Sequence, residues 1–198
     1  MQDKIVEKAT ELFLKHGFKS ITMDDIAEHM GISKKTIYKY FSNKEVLIEA
    51  SVDLEHGKIK AGMQAVIANG YNPVEENFQL KVMFDDLFKT VVSSPLYQLK
   101  RHYPSIYEKM VSNEMISSCQ GFFTQNVERG KSEGFYRQNF KTEHYVFFYY
   151  NNVFSINESF ALEKDAEVFE RSLLEYHLRA MVTEKGMGEL EKMLGKSI

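Results

Sequence analysis

From Ser33 to Glu45 the chain reads Ser-Lys-Lys-Thr-Ile-Tyr-Lys-Tyr-Phe-Ser-Asn-Lys-Glu. The ammonium groups of Lys34, Lys35, Lys39 and Lys44 are interleaved with the phenols of Tyr38 and Tyr40, and no carboxylate precedes Glu45. Ammonium groups attract phosphate and donate to guanine O6 and N7, while the Thr36 methyl suits a thymine methyl. Ile37 and Phe41, four residues apart, share one helical face and are expected to be buried, which turns Lys34, Lys35, Thr36 and Lys39 outward. A compact basic helix presented by a tight turn is how a helix-turn-helix reads the DNA major groove. The bland alternative is a solvated lysine face on a structural helical bundle.

Other candidates for chemistry lack the context they need. Gly130-Lys131-Ser132-Glu133-Gly134 matches the letters of the G-x-S-x-G nucleophile elbow, but it follows a helical pattern and no strand delivers the serine. The histidines (His16, His29, His56, His102, His144 and His177) show no H-E-x-x-H spacing. His102 beside Arg101 could hold an anionic group, although a solvated histidine is the commoner outcome. Cys119 is the single cysteine, so neither a disulfide framework nor a thiolate metal site is expected. No catalytic activity, metal or cofactor is expected.

The elements that position the basic helix are legible on both sides of it. Ile5, Ala9, Leu12 and Phe13 make the buried stripe of a helix from Asp3 to His16, stopped by Gly17. Thr22 is placed to cap a second helix whose inner face is Ile26, Ala27 and Met30. Gly31 supplies the turn, and Ser33 caps the third helix, which should end near Phe41. Ser42 and Glu45 have capping-box spacing for a fourth helix from Lys44 to about Ala68. Further helices are predicted over 73–93, 104–132, 142–161 and 165–184, with a weak tail at 187–195 and restarts at Pro95 and Pro104. The expectation is all-α: an N-terminal three-helix domain, residues 1–46, and a second helical domain, residues 47–198.

Net charge is −3, so bulk attraction to polyanions is weak and the basic residues act locally, over residues 33 to 44. The stretch from Met1 to Lys8 has no apolar signal segment, and no apolar run reaches the ~18 residues that span a bilayer. A cytoplasmic protein without membrane contact is expected.

Gly17-Phe18, Thr22, Ile26-Ala27, Gly31-Ile32-Ser33, Thr36-Ile37-Tyr38, Tyr40-Phe41 and Lys44-Glu45 together resemble the DNA-binding domain of the TetR (tetracycline-repressor) family of bacterial regulators. Lys35 stands where many members have glycine, adding charge near the start of the third helix. The resemblance implies a regulator, a repressor, that binds a double-stranded operator as a homodimer and is released by a small-molecule effector. It implies that Ser33, Lys34, Lys35, Thr36 and Lys39 sit at the DNA surface, with Tyr38, Tyr40, Lys44 and the Thr22 hydroxyl as phosphate clamps.

From Glu143 to Phe160 apolar residues surround the predicted helix, so it must be buried on more than one side. Val146, Tyr150 and Val153, with Phe169, Leu173, Tyr176 and Ala180 of the next helix, are the expected dimer surface; a wholly intramolecular core is the alternative. Phe84, Phe88, Tyr103, Tyr107, Met110, Phe122, Phe123, Phe148 and Asn152 are the expected lining of a pocket for an apolar or aromatic effector, although each alone could equally be core. A helical enzyme or small-molecule carrier with a vestigial DNA-binding end is the reading from a different class.

Overall fold

The computed structural model describes residues 1–112 and 114–196. Its helices are α1 (Gln2–His16), α2 (Met23–Met30), α3 (Lys34–Tyr38), α4 (Lys44–Ala68), α5 (Pro73–Phe88), α6 (Pro95–His102), α7 (Pro104–Ser112), α8 (Glu114–Ser132), α9 (Thr142–Ser159), α10 (Glu163–Arg179) and α11 (Glu184–Lys196). Among the described residues the only β pairings are isolated bridges, Ser93 with Leu162 and Tyr136 with Val182. No helix among them is long and apolar enough to cross a membrane.

The N-terminal helices begin and end where side-chain chemistry dictates. The Thr22 hydroxyl accepts from the Asp25 N–H at 3.2 Å, and the Asp25 carboxylate accepts from the Thr22 N–H at 2.8 Å, closing a capping box. Gly31 ends α2 at φ +62°, a left-handed conformation that disfavours a Cβ. Ser33 caps α3 by accepting from the Thr36 N–H at 3.1 Å. The regular part of α3 is shorter than expected, but its turn carries on through Tyr40 and Phe41 N–H bonds to the Ile37 carbonyl. The Ser42–Glu45 capping box does not form. Asn43 caps α4 instead, its Oδ1 accepting from the Val46 N–H at 2.9 Å, because asparagine one residue later is as good a cap as serine.

Several later boundaries move because backbone pairing between loops competes with helix. The predicted 73–93 helix stops at Phe88, since Ser94 N–H bonds the Ala161 carbonyl and Glu163 N–H bonds the Val92 carbonyl. α10 likewise stops at Arg179, where Arg137 N–H reaches the Met181 carbonyl and Thr183 N–H the Phe135 carbonyl, each at 2.9 Å. The expected 104–132 helix is described as α7 and α8, with residue 113 outside the described residues. The weak tail is a full helix, α11, that buries Leu190 and Met193.

Two apolar clusters organise the molecule. One joins Ile5, Phe13, Ile26, Ile37, Phe41, Leu47 and Ile48 to Leu99, Ile106 and Met110, so α6 and α7 share the core of the N-terminal helices. The expected domain limit at residue 46 therefore falls within the first turn of α4, whose Leu47 and Ile48 belong to that core. The other cluster gathers Val74, Val127, Tyr136, Val146, Leu174, Leu178 and Leu190 from α5 and α8 to α11.

His177 on α10 is buried in this second half, its ring stacked on Tyr149 at 4.4 Å. Burial disfavours the imidazolium and pushes the ring down to about 4. The folded protein thus keeps His177 neutral where the unfolded chain would protonate it. The resulting stabilisation is complete above pH ~6.5 and is lost as the pH falls toward 4. Changing His177→Phe should keep the stack and remove this loss, so urea unfolding at pH 7 and pH 5 should differ by about 1–2 kcal/mol less than in the parent. Equal differences in both proteins would show that the ring is charged or hydrated inside.

Candidate nucleic-acid interface and ligand cavity

With Ile37 and Phe41 buried, the outer side of α3 and its following turn presents Ser33, Lys34, Lys35, Tyr38, Lys39 and Tyr40 to solvent, with Thr36 half-buried beside them. Lys35 and Lys39 meet no carboxylate among the described residues, and Lys39 lies 6.0 Å over the Tyr40 ring. Lys34 pairs with Asp24 of α2 at 2.8 Å, an exposed contact that raises its pKa and that phosphate would have to displace. The Ser33 and Thr36 hydroxyls hydrogen-bond each other at 2.8 Å.

Two expected phosphate clamps are already engaged. The Thr22 hydroxyl donates to Asp25 Oδ2 at 2.8 Å, which uses its only proton, so donation to phosphate would give up that bond while both bonds of the capping box remain. Lys44 is half-buried, donates to the Lys19 carbonyl at 3.2 Å, and lies 5.9 Å from the Phe13 and Tyr103 rings. Burial lowers its pKa, with Asp25 opposing the shift. It straps α4 to the loop after α1.

Gln98 on α6 was not singled out by the sequence. Its Oε1 accepts from the Phe18 N–H at 2.9 Å and its Nε2 donates to the Ser93 carbonyl at 3.1 Å. Gly17, at φ +90°, permits this approach, since a Cβ there would sit 2.8 Å from Gln98 Oε1. Tyr103 adds a bond to the Phe18 carbonyl at 3.3 Å. Ser94, next to α6, donates to the Asn157 carbonyl on α9 at 2.7 Å. One short helix is thereby tied to the N-terminal helices and, through the adjacent Ser94, to α9.

Between these attachments lies a cavity of about 370 Å³. Of the expected pocket residues, Phe84, Phe88, Met110 and Phe123 line it. Tyr103, Tyr107, Phe122, Phe148 and Asn152 do not. Tyr103 and Tyr107 pack on the N-terminal core, Phe122 is half-buried outside the lining, and Phe148 and Asn152 face solvent. The rotation of α9 explains this error and another. It turns Tyr149, Tyr150, Val153, Phe154 and Asn157 into the cavity. Tyr150 and Val153, expected to face a partner, therefore face inward, and Val146 lies in the second apolar cluster. On α10, Phe169 and Tyr176 are exposed, while Leu173 and Ala180 are half-buried. Phe147 and Phe148 of α9 and Val168 of α10 are exposed as well.

The cavity wall also carries charge. Lys81 of α5 pairs with Asp85 and, at 3.1 Å, with Glu170 of α10. Asn157 donates to the other Glu170 oxygen at 2.5 Å. Glu163 completes the group; burial first, then the Glu170 charge, pushes its carboxyl up to about 7. No cluster of three or more His, Cys, Asp or Glu among the described residues is arranged to hold a metal.

Residues 5–51 match the family model for bacterial regulatory proteins of the tetR family. The biofilm operon icaADBC HTH-type negative transcriptional regulator IcaR of Staphylococcus epidermidis is 38% identical over 53 residues, 27% of this chain and 29% of that protein. The match thus spans less than a third of that relative. The whole chain resembles a transcriptional regulator from Cytophaga hutchinsonii, with TM-score 0.72, 17% identity and coverage of 91% of this chain and 98% of that one. A gamma-butyrolactone receptor gives TM-score 0.67 at 15% identity, covering 98% and 94% of the two chains. These two likenesses are of fold. The likeness to the tetR family of bacterial regulatory proteins is thus carried by residues 5–51.

Proposed function

We propose that the protein is a homodimeric repressor of transcription that binds a double-stranded operator through α3 and is released by a small molecule held in the cavity. The observation that carries the reading is the α3 surface: exposed Lys35, Lys39, Tyr38 and Tyr40 on a helix locked from behind by Ile37 and Phe41. Lys34, Lys35, Thr36 and Lys39 are assigned to base edges, and Ser33, Tyr38 and Tyr40 to the backbone. Thr22 and Lys44 are assigned to holding the reader in place. Both can still meet a phosphate, since the Thr22 cap does not need its hydroxyl proton and the Lys44 ammonium has two further N–H donors.

So short a helix covers few base pairs, and two copies about 34–36 Å apart would read an inverted repeat. The exposed outer sides of α9 and α10 support a twofold partner. An effector that binds better to a conformation with the wrong helix spacing lowers operator affinity by that same preference. α6, bordering the cavity and hydrogen-bonded to Phe18, is the mechanical route we assign to that coupling. The protein acts where the chromosome is, in the cytoplasm, and the reading requires no cofactor and no catalysis.

Selection of duplexes from a random library tests the proposal, and a single enriched inverted repeat is the expected outcome. On that operator, Lys35→Ala and Lys39→Ala should each lose about 1–3 kcal/mol of discrimination at particular base pairs. Tyr38→Phe should weaken all duplexes alike and reduce the salt dependence little. Retention of the parent base preference by both lysine variants would refute the assignment of readers. Indifference to every duplex at low salt would refute the function.

A further inference from the structure

The charged wall of the cavity is unbalanced in a way that specifies a ligand. Lys81 is compensated twice, by Asp85 and by Glu170. Glu170 is satisfied at both oxygens, by Asn157 and by Lys81. Glu163 is different. Its Oε2 is buried and is, among the described residues, the one buried side-chain nitrogen or oxygen without a hydrogen-bond partner. A buried acceptor in that condition is destabilising until a donor arrives. The same cavity is lined by Phe84, Phe88, Phe123, Tyr150 and Phe154, aromatic side chains that suit an apolar body and whose ring faces attract a cation.

We infer that the cavity accepts a molecule with an apolar or aromatic body and a protonated amine, the ammonium donating to Glu163. The inference rests on reading this cavity as the effector site. The alternative, an anionic ligand, would have to draw on Lys81, whose charge is already spent on two carboxylates, or on His56 of α4, whose imidazolium is disfavoured by burial and by the Lys60 charge, with Asp53 opposing. Glu55 and Glu167 add further negative charge to the lining. Lys89 and Lys164 border the cavity too, but both are exposed, and Lys89 pairs with Asp86. The volume, about 370 Å³, is that of a small-ligand site.

Burial and the facing groups agree with this chemistry. Glu163 sits in the first turn of α10, whose dipole favours its anion; Glu167 and Glu170 of α10 and Asp85 of α5 oppose ionisation, and Lys81 of α5 supports it. The carboxyl is consequently poised near neutrality, so an entering ammonium expels its proton. Amine binding should therefore strengthen about tenfold from pH 6 to pH 8.

The test uses the full chain and calorimetric titration with three probes of one body: 4-phenylbutylamine, 4-phenylbutanol and 4-phenylbutyrate. At pH 8 the amine should bind about tenfold more tightly than the alcohol, and the carboxylate weakest. Glu163→Gln should reduce the amine to the level of the alcohol and leave alcohol binding unchanged, which also reports an intact cavity. Tightest binding by the carboxylate, no binding by any probe at millimolar concentration, or an unaltered amine affinity in Glu163→Gln overturns the inference. Operator selection uses no ligand, so a protein that captures its operator but prefers the carboxylate loses only the ligand class. One that binds the amine but no duplex loses the regulatory reading instead.

Discussion

Gly130→Ala should destabilise the protein by about 3 kcal/mol and lower its melting temperature by roughly 6–12 °C. The residue lies in α8 directly against Tyr136, and a Cβ there would sit 2.0 Å from Cδ2 and 2.3 Å from Cε2 of that ring. The ring has nowhere to go. Tyr136 is 1% exposed, and its hydroxyl donates to the Pro73 carbonyl at 2.9 Å. Asn77 donates back to that hydroxyl at 3.2 Å, and Asn126 shares the same carbonyl at 3.0 Å. The Phe135 and Tyr136 N–H groups also both bond the Gly130 carbonyl, at 2.8 and 3.0 Å. Moving the ring would therefore break a buried network, which is worse than losing one contact.

Gly134→Ala provides the control. A Cβ there meets nothing within 4 Å, but the backbone sits at φ +76°, so the expected cost is about 1 kcal/mol from conformation alone. Urea unfolding of the two variants measures the difference. Equal costs would mean that the close approach at Gly130 is relieved cheaply. The pair also accounts for the letters of the nucleophile elbow: one glycine admits a tyrosine, the other turns the chain. Ser132 between them donates its hydroxyl to the Arg129 carbonyl at 2.8 Å.

How much of this was legible in the sequence depends on whether one local signal was sufficient. Caps, turn and stripe in residues 3 to 41 reinforce one another, and Ile5, Phe13, Ile26, Ile37 and Phe41 are buried as their spacing requires. The second half offers weaker information. Where Tyr145 to Phe154 is apolar nearly all round, a 3.6-residue period cannot select a face. The sequence accordingly leaves Val146, Tyr150 and Val153 as candidates for the outer face, and they lie inward. Phe148, expected to line the cavity, is exposed. Contacts between distant segments were silent altogether. Nothing around Gln98 announces its bond to Phe18, 80 residues away, and no motif marks Glu163 as the unpaired carboxyl. The ends of α5 and α10 shifted for the same reason, since the loop pairings that stop them join segments far apart in the chain.

The largest functional effect is expected from charge on the outer faces of α9 and α10. Phe147 and Phe148 are 57% and 56% exposed, Phe169 52% and Tyr176 74%, with Val168 beside them. The stacking of Tyr149 on His177 sets the register of the two helices, so Phe148 and Tyr176 lie at one level. Phe160 stacked on Phe169 at 4.6 Å carries aromatic surface toward the other end. Exposed aromatic area of this kind suits the proposed interface, and each ring can bury about 150–250 Å². A twofold partner would meet the same strip with the same strip, toward the roughly 800 Å² per subunit that stable interfaces bury. Phe148→Asp combined with Tyr176→Asp places four carboxylates in that seam across a dimer. The variant should be monomeric by sedimentation and retain its helical content, because both side chains are exposed in the single subunit. Its affinity for the full operator should fall by about 10²–10⁴, while an isolated half-site is bound as before, because only the linkage between two readers is lost. A variant that stays dimeric would place the partner surface elsewhere. A monomer that holds the full operator as tightly as the parent would show that one α3 suffices, and the twofold arrangement would have to be abandoned.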